Sequence, residues 1–245
     1  MTRISVVMPT FNRSATLSRA IDSVLCQTQA DVELIVVDDG SADDTATILQ
    51  LYSGRLTYVR LDGNRGGNFA RNRGIERAQG DIVSFIDSDD EFLPHKLSFV
   101  AQYFATHAAV DALVDSFEIR YPPEMNRAPV VRRNPVLGDS VALREAVFGR
   151  RLYKATPAIS VRRQALLDIG MFDETLKRRQ DMDLILRLTR AHACASTDQV
   201  LWVKHWTANA ISSKQNTFLL ATMDICQRHP DYLSQPQFRR GLDRD

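Results

Sequence analysis

The sequence predicts an α/β protein with an open, mostly parallel sheet and helices on both of its faces. Three observations carry that prediction. Short β-branched runs alternate with helix-period segments through the first half of the chain. A helix between successive strands calls for parallel pairing through right-handed crossovers. The run Leu34-Ile-Val-Val is apolar throughout, as a strand buried on both faces must be. Taken in order, residues 4–9, 32–38, 56–60 and 81–86 read as strands, with helices between them over 14–28, 43–51 and 68–78. The stretch 120–134 carries Pro122, Pro123 and Pro129 with little periodicity and reads as a loop or flap. Beyond it come helices over 140–148, 162–169 and 180–191, a strand near 199–203 and a last helix from about Phe218. The final residues, 235–245, read as a tail or as the cut end of a longer protein.

Composition narrows the function classes. A chain of 245 residues with 44% hydrophobic content builds a sizeable core. Its 31 basic and 30 acidic side chains give a net charge of +1, which disfavours a nucleic-acid coat and an acidic disordered tail. The balance is uneven along the chain: residues 1–120 hold 11 basic and 17 acidic groups, whereas 121–190 hold 14 and 8. One part is thereby suited to hold cations and the other to face anions. Cys26, Cys194 and Cys226 lie far apart without a CxxC pair, which argues against a disulfide framework and a thiolate metal site and fits a reducing cytosol. No apolar stretch approaches the roughly 20 residues that span a bilayer, so membrane spanning and secretion are disfavoured.

Acidic groups then concentrate where an α/β sheet binds its ligands, at the carboxyl ends of strands. Leu34-Ile-Val-Val-Asp38-Asp39-Gly40-Ser41 ends a strand in two carboxylates, a glycine for a tight turn and a serine able to cap the next helix. Aspartates in such turns are often only caps. A second segment, Asp81-Ile-Val-Ser-Phe-Ile-Asp87-Ser88-Asp89-Asp90, repeats the pattern, and neighbouring parallel strands would bring the two clusters together. Anions so crowded call for a cation, and oxygen ligands suit Mg²⁺ or Mn²⁺ bound through one or two carboxylates and substrate phosphates. Between the clusters, residues 64–74 form a glycine-containing turn feeding a helix whose basic residues could approach a phosphate, Asn68 and Arg71 among the candidates. No GxxxxGK[ST] and no GxGxxG follows the first strand, so the P-loop and dinucleotide-binding readings lose their central requirement.

The segments Ser5-Val-Val-Met-Pro-Thr-Phe-Asn12-Arg13, Val37-Asp-Asp-Gly-Ser41, 64–74 and Phe85-Ile-Asp-Ser-Asp-Asp90, in this order, resemble the family 2 glycosyltransferases. The likeness continues through Pro157-Ala-Ile-Ser-Val-Arg-Arg163, Ile169-Gly-Met-Phe-Asp-Glu174 and the helix that opens Gln180-Asp-Met-Asp, and so covers about residues 3–215. The resemblance implies a GT-A fold with a smaller acceptor-side part, a nucleotide-diphosphate sugar donor with UDP favoured, a divalent metal, and inversion at the anomeric carbon. It places Pro9, Thr10 and Asn12 near the nucleotide, Asp39 on the base, Asp87 and Ser88 by the ribose and metal, and Asp89 as the principal metal ligand. It makes Asp181 the general base and puts His205 where a third metal ligand or a diphosphate contact often lies. It also implies a saccharide or lipid-linked saccharide acceptor, with residues 1–120 holding the donor, 121–215 the acceptor, and 216–245 forming a C-terminal helix and tail. The family commonly shows Glu-Asp where this chain has Gln180-Asp181, so any role for the first carboxylate is lost.

Helix geometry bears on the same residue independently. At about 100° per residue, Asp181 shares a face with Leu184, Ile185 and Leu188, while Asp183 points away with Arg187 and Arg190. Asp181 is therefore expected to face inward and Asp183 to pair with Arg187 on the solvent side. In the absence of the earlier motifs, a first-turn aspartate held by the helix dipole would be the plainer reading of Asp181. Ser212, Ser213 and Lys214 are candidates for a loop closing over the diphosphate. The paired basics Arg132-Arg133, Arg150-Arg151, Arg162-Arg163 and Lys177-Arg178-Arg179 are either solvated surface charge or a peripheral contact to a membrane carrying the acceptor. Three rivals stay open: a sugar-phosphate nucleotidyltransferase, a receiver-type domain with Mg²⁺ among strand-end acids, and a silent nucleotide-sugar binding module.

Overall fold

The computed structural model describes residues 2–29, 31–207 and 218–234. The first half forms strands β1 (Ile4–Thr10), β2 (Val32–Asp38), β3 (Thr57–Arg60) and β4 (Ile82–Phe85), with helices α1 (Ser14–Leu25), α2 (Thr45–Gln50) and α3 (Gly67–Arg77) between them. There follow β5 (Glu91–Phe92), α4 (Lys96–Thr106), β6 (Ala112–Arg120), β7 (Val130–Arg132), α5 (Ser140–Phe148), β8 (Ile159–Arg162), α6 (Arg163–Asp168), α7 (Gln180–Ala191), β9 (Cys194–His205), α8 (Phe218–Arg228) and α9 (Asp231–Ser234). The strands join one sheet in the order β3-β2-β1-β4-β8-β6-β9-β5, and β7 pairs on β6. Pairings β1·β2, β1·β4, β2·β3 and β6·β9 are parallel, while β4·β8, β6·β8, β5·β9 and β6·β7 are antiparallel.

All seven residues of β1 are buried, because β1 lies inside the sheet with helices covering it. Helix α1 packs Leu17, Ala20, Ile21 and Val24, an i, i+3, i+4, i+7 stripe, and each large aliphatic there contributes about 1.5–3 kcal/mol on burial. Helix α3 lies so close that a Cβ on Gly74 would come within 2.4 Å of Val7 Cγ1. Register then fixes the site: Thr10 stands beside Asp38, and Val7 beside Phe85, so Asp87 leaves the sheet at the same end.

The expected order of the first four strands and their helices is met, as are α5, α7 and the start of α8. Residues 120–134 differ from the expected loop. A 3₁₀ turn at Pro123–Met125 is followed by β7, whose Val130 pairs Ile119, so the proline-rich stretch folds back as an edge hairpin on β6. The strand expected near 199–203 runs from Cys194 to His205, and β5, α4, β6 and β8 have no counterpart in the sequence reading. The pair Lys96 and Asp115 is wholly buried beneath the sheet's middle, with Lys96 Nζ on the Asp115 carboxylate and, at 3.0 Å, on the Pro157 carbonyl. Burial pushes the Asp115 carboxyl up to about 7 against the pull of Lys96. The cysteines are free thiols. Among the described residues no helix is long and apolar enough to cross a membrane.

Candidate active site

The strand ends are stitched together by side chains of the motifs themselves. Asn12 takes a left-handed conformation (φ 50°), from which its backbone N–H donates to Ser41 Oγ at 2.9 Å and its Oδ1 accepts from Ala42 N at 2.9 Å. Asp38, fully buried, accepts from Ser41 N at 2.8 Å and from the Tyr58 hydroxyl at 3.0 Å. Asp39 takes Arg65 N at 2.8 Å on one oxygen and Gly66 N at 2.7 Å on the other. Gly40 allows the turn: its φ is +79° and an added Cβ would meet Gly63 Cα at 2.6 Å. Pro9 is buried at the end of β1, and the Thr10 hydroxyl is buried without a hydrogen-bond partner among the described residues.

Beside these lies the turn after β4. Asp87 accepts from Arg71 at 2.7 Å, and the backbone of Asp90 closes the turn on the Asp87 carbonyl at 3.0 Å. Ser88 is buried and its carbonyl accepts from Thr16 at 2.9 Å. Asp89 stands 3.6 Å from Arg13. Burial, and then the neighbouring negative charges, raise the carboxyls of Asp89 and, still further, Asp90 above the usual carboxylate range. Among the described residues no three His, Cys, Asp or Glu side chains converge into a ready cation cage. Crowded carboxylate oxygens without a complete cage fit a hard cation whose remaining ligands come from the bound substrate and water.

Several expected contacts take other forms. Asn68 turns toward the loop before α7, donating to the carbonyls of Asp173 and Leu176 at 2.9 Å each, so its side chain is a clamp between segments. Arg71, nearly buried, is committed to Asp87 and stacks over Phe172. His205 donates its backbone N–H to Asp90 at 3.1 Å while its ring pairs with Glu91 at 3.0 Å. Asp183 does pair with Arg187, at 2.7 Å, but on a buried face: it is 3% exposed because α8 and α9 cover it and bring His229 within 3.0 Å. Some of the paired arginines tie segments of the chain together, while Arg133, Arg150, Arg151 and Lys177 are exposed. Arg162 binds the carbonyls of Val110 and Ala108, Arg133 binds that of Asp198, and Arg179 binds Thr222. Ser212, Ser213 and Lys214, and the expected tail, lie outside the described residues.

Asp181 opens α7 after Arg179, which holds a left-handed conformation (φ 59°) at the helix start. Its Oδ1 accepts from Met182 N at 2.8 Å. Burial raises its carboxyl above the usual value, against Lys154, the Met182 amide, Lys204 and Arg179. Lys204 also acts on Asp89 and Asp90. Geometry ties the same segments together: Arg71 binds Asp87 and lies over Phe172, Asn68 holds the carbonyls of Asp173 and Leu176 in the loop before α7, and the His205 N–H brings the end of β9 onto Asp90. Sequence reasoning missed Lys204 and Lys154, and no pattern around either residue distinguishes them from surface lysines.

Residues 5–158 match the family model of glycosyl transferase family 2. The chain belongs to glycosyl transferase family 2. A putative colanic acid biosynthesis glycosyl transferase of Escherichia coli, WcaA, is 32% identical over 222 residues, which cover 86% of this chain and 76% of that protein. The Campylobacter jejuni GalNAc(5)-diNAcBac-PP-undecaprenol beta-1,3-glucosyltransferase is 41% identical over 106 residues, 42% of this chain and 34% of that one. The chain spans 35%, 61% and 34% of the length of three curated relatives it matches. In fold, this family 2 chain is similar to S. aureus TarS 1-349 in complex with UDP-GlcNAc, with a TM-score of 0.75, 22% identity, and coverage of 92% of this chain and 66% of that one. The fold is the GT-A arrangement expected from the resemblance.

Proposed function

We propose that this chain moves a sugar from a nucleotide-diphosphate donor, UDP-linked by preference, to a hydroxyl of a saccharide or lipid-linked saccharide, with inversion. Support for the donor comes from the family and from the two acid clusters at one sheet end; support for the acceptor comes from relatives named for colanic acid synthesis and for an undecaprenol-linked saccharide. In this reading residues 1–120 hold the donor and 121–215 the acceptor, and α8 and α9 brace α7.

The single observation that carries the mechanism is Asp181 at the head of α7, a helix whose preceding loop is tied to the D-x-D turn by Arg71, on Asp87 and over Phe172, and by Asn68 on Asp173 and Leu176. Asp181 takes the proton from the acceptor hydroxyl as that oxygen attacks the anomeric carbon opposite the leaving nucleoside diphosphate. A carboxyl lifted by burial is a stronger base than a solvated one, and such assistance contributes on the order of 10²–10⁴-fold. Asp87 and Asp89 would hold Mn²⁺ or Mg²⁺, which when bound supplies charge neutralisation for the departing diphosphate. Pro9, Thr10 and Asn12 border the nucleotide. Asp39 sets the 63–66 loop against it and keeps lone pairs on both oxygens for the base.

The test is product release. Incubation with a panel of nucleotide sugars and Mn²⁺ is expected to liberate nucleoside diphosphate, accelerated by a matching glycan acceptor. Pyrophosphate release with a sugar phosphate and nucleoside triphosphate would replace this reading by nucleotidyl transfer.

A further inference from the structure

Helix α1 turns a single stripe toward the D-x-D turn. Arg13, just before its first residue, puts a guanidinium nitrogen 3.6 Å from Asp89 Oδ2. Thr16 donates to the Ser88 carbonyl at 2.9 Å, and Arg19 donates to the Asp89 carbonyl at 2.7 Å. Thr16 and Arg19, three apart, are neighbours on the helix surface, and Arg13 stands at the N-cap just before them, so the three side chains meet the same turn. The two bonds to backbone carbonyls are short and fix the turn's shape. The ion pair differs from them: it exceeds hydrogen-bond length, and its side chains are 34% and 20% exposed. An ion pair of that kind is weak and readily exchanged. Arg71 makes the contrast on the same turn, with its guanidinium 2.7 Å from Asp87 and only 7% exposed.

We propose that Arg13 is a movable counter-cation: it neutralises Asp89 while the site is free of donor, yields that carboxylate to the divalent ion, and passes to the donor's diphosphate. The inference rests on the donor and metal reading above. A divalent ion on Asp89 repels a guanidinium at the same oxygen, whereas a diphosphate brings new negative charge, and the guanidinium fork matches phosphate oxygens bidentately. The Arg13 backbone is anchored, its N–H on Thr45 Oγ1 at 3.3 Å and its carbonyl accepting from Thr16 N and Leu17 N at 3.0 Å each, whereas the guanidinium is held only by the Asp89 pair among the described residues and is free to swing.

The exchange predicts effects of opposite sign from one substitution. In Arg13→Gln, Mn²⁺ alone, followed by electron paramagnetic resonance, binds about two- to fivefold more tightly, as expected for removing one weakly paired competing charge. In the same variant, the nucleoside diphosphate that wild type binds best among UDP, GDP and dTDP binds at least about tenfold more weakly in the presence of Mn²⁺ by calorimetry, the loss expected for a charge-assisted pair. Arg13→Lys, which keeps the charge without the fork, leaves Mn²⁺ affinity near wild type and recovers part of the nucleotide affinity. Equal or weaker Mn²⁺ binding in Arg13→Gln, or undiminished nucleotide binding, overturns the exchange while leaving the donor reading intact. A wild-type chain that takes up no Mn²⁺ at millimolar concentration overturns the metal reading and the exchange with it.

Discussion

The strand-end turns and the head of α7 present carboxylates by different means. Asp38 and Asp39 sit where a buried strand runs out, and backbone N–H groups a few residues away, or on the adjoining loop, hold them. Asp181 follows a left-handed arginine, and its helix is steadied by side chains arriving from the far end of the chain. Arg179 reaches Thr222, Asp183 reaches His229, and Arg190 reaches Asp231 at 2.7 Å. Arg228 adds a tie from α8 to the loop before α7, on Asp173 and, at 2.8 Å, Thr175. A strand-end acid is thus positioned by local backbone, and the helix-head acid by tertiary contacts. The two should fail differently.

The sharpest break is expected at Asp183. Asp183→Ala leaves Arg187 and His229 without their buried partner and should cost about 3 kcal/mol of stability. It should lower turnover with little change in nucleoside diphosphate affinity, measured by calorimetry; equal loss of both would mean that the two regions are not separable. Next comes Asp39→Ala, which unpairs the amides of Arg65 and Gly66 and should cost about 2 kcal/mol in denaturant unfolding. Here nucleotide affinity is the property expected to fall.

Acid titration sharpens the same contrast. Burial alone would raise Asp183, but hydrogen bonds and charge from His229 and Arg187 outweigh it and hold its carboxyl below the ordinary 3.8. A carboxylate depressed in the folded state stabilises the protein fully above its unfolded value and loses that contribution as pH falls through the folded one. The unfolding free-energy gap between wild type and Asp183→Asn should therefore be constant above about pH 5 and shrink below about pH 4. A gap that widened on acidification would contradict the assignment of charge. The smallest effect is Asn12→Gly, which keeps the left-handed backbone but removes the bond to Ala42, and should cost about 1 kcal/mol in thermal unfolding.

The same contrast explains what was legible in the sequence. Val32–Asp38 and Gln180–Ala191 announce themselves, one through its apolar run Leu34–Val37 and the other through its 3.6-residue period. The strand-end acids are legible because chain order alone puts them at the ligand-binding edge. Asp183 was misplaced because helical periodicity cannot know that α8 and α9 close over its face. The contacts of Asn68 were not legible for a related reason: its partners, the carbonyls of Asp173 and Leu176, lie about a hundred residues away. β8 and β6 escaped notice because a four-residue strand and an interrupted one carry little periodicity, and antiparallel insertion between β4 and β9 is a property of the closed sheet.

The central claim is that the D-x-D turn and Asp181 serve one reaction, the first holding the donor and the second accepting the proton. Asp181→Asn tests it most directly. Calorimetry should find nucleoside diphosphate binding with Mn²⁺ within about twofold of wild type, and acceptor-dependent release of nucleoside diphosphate should fall by on the order of 10²–10⁴-fold. Normal turnover in that variant would remove Asp181 from the chemistry, and lost nucleotide binding would mean that it belongs to the donor site instead.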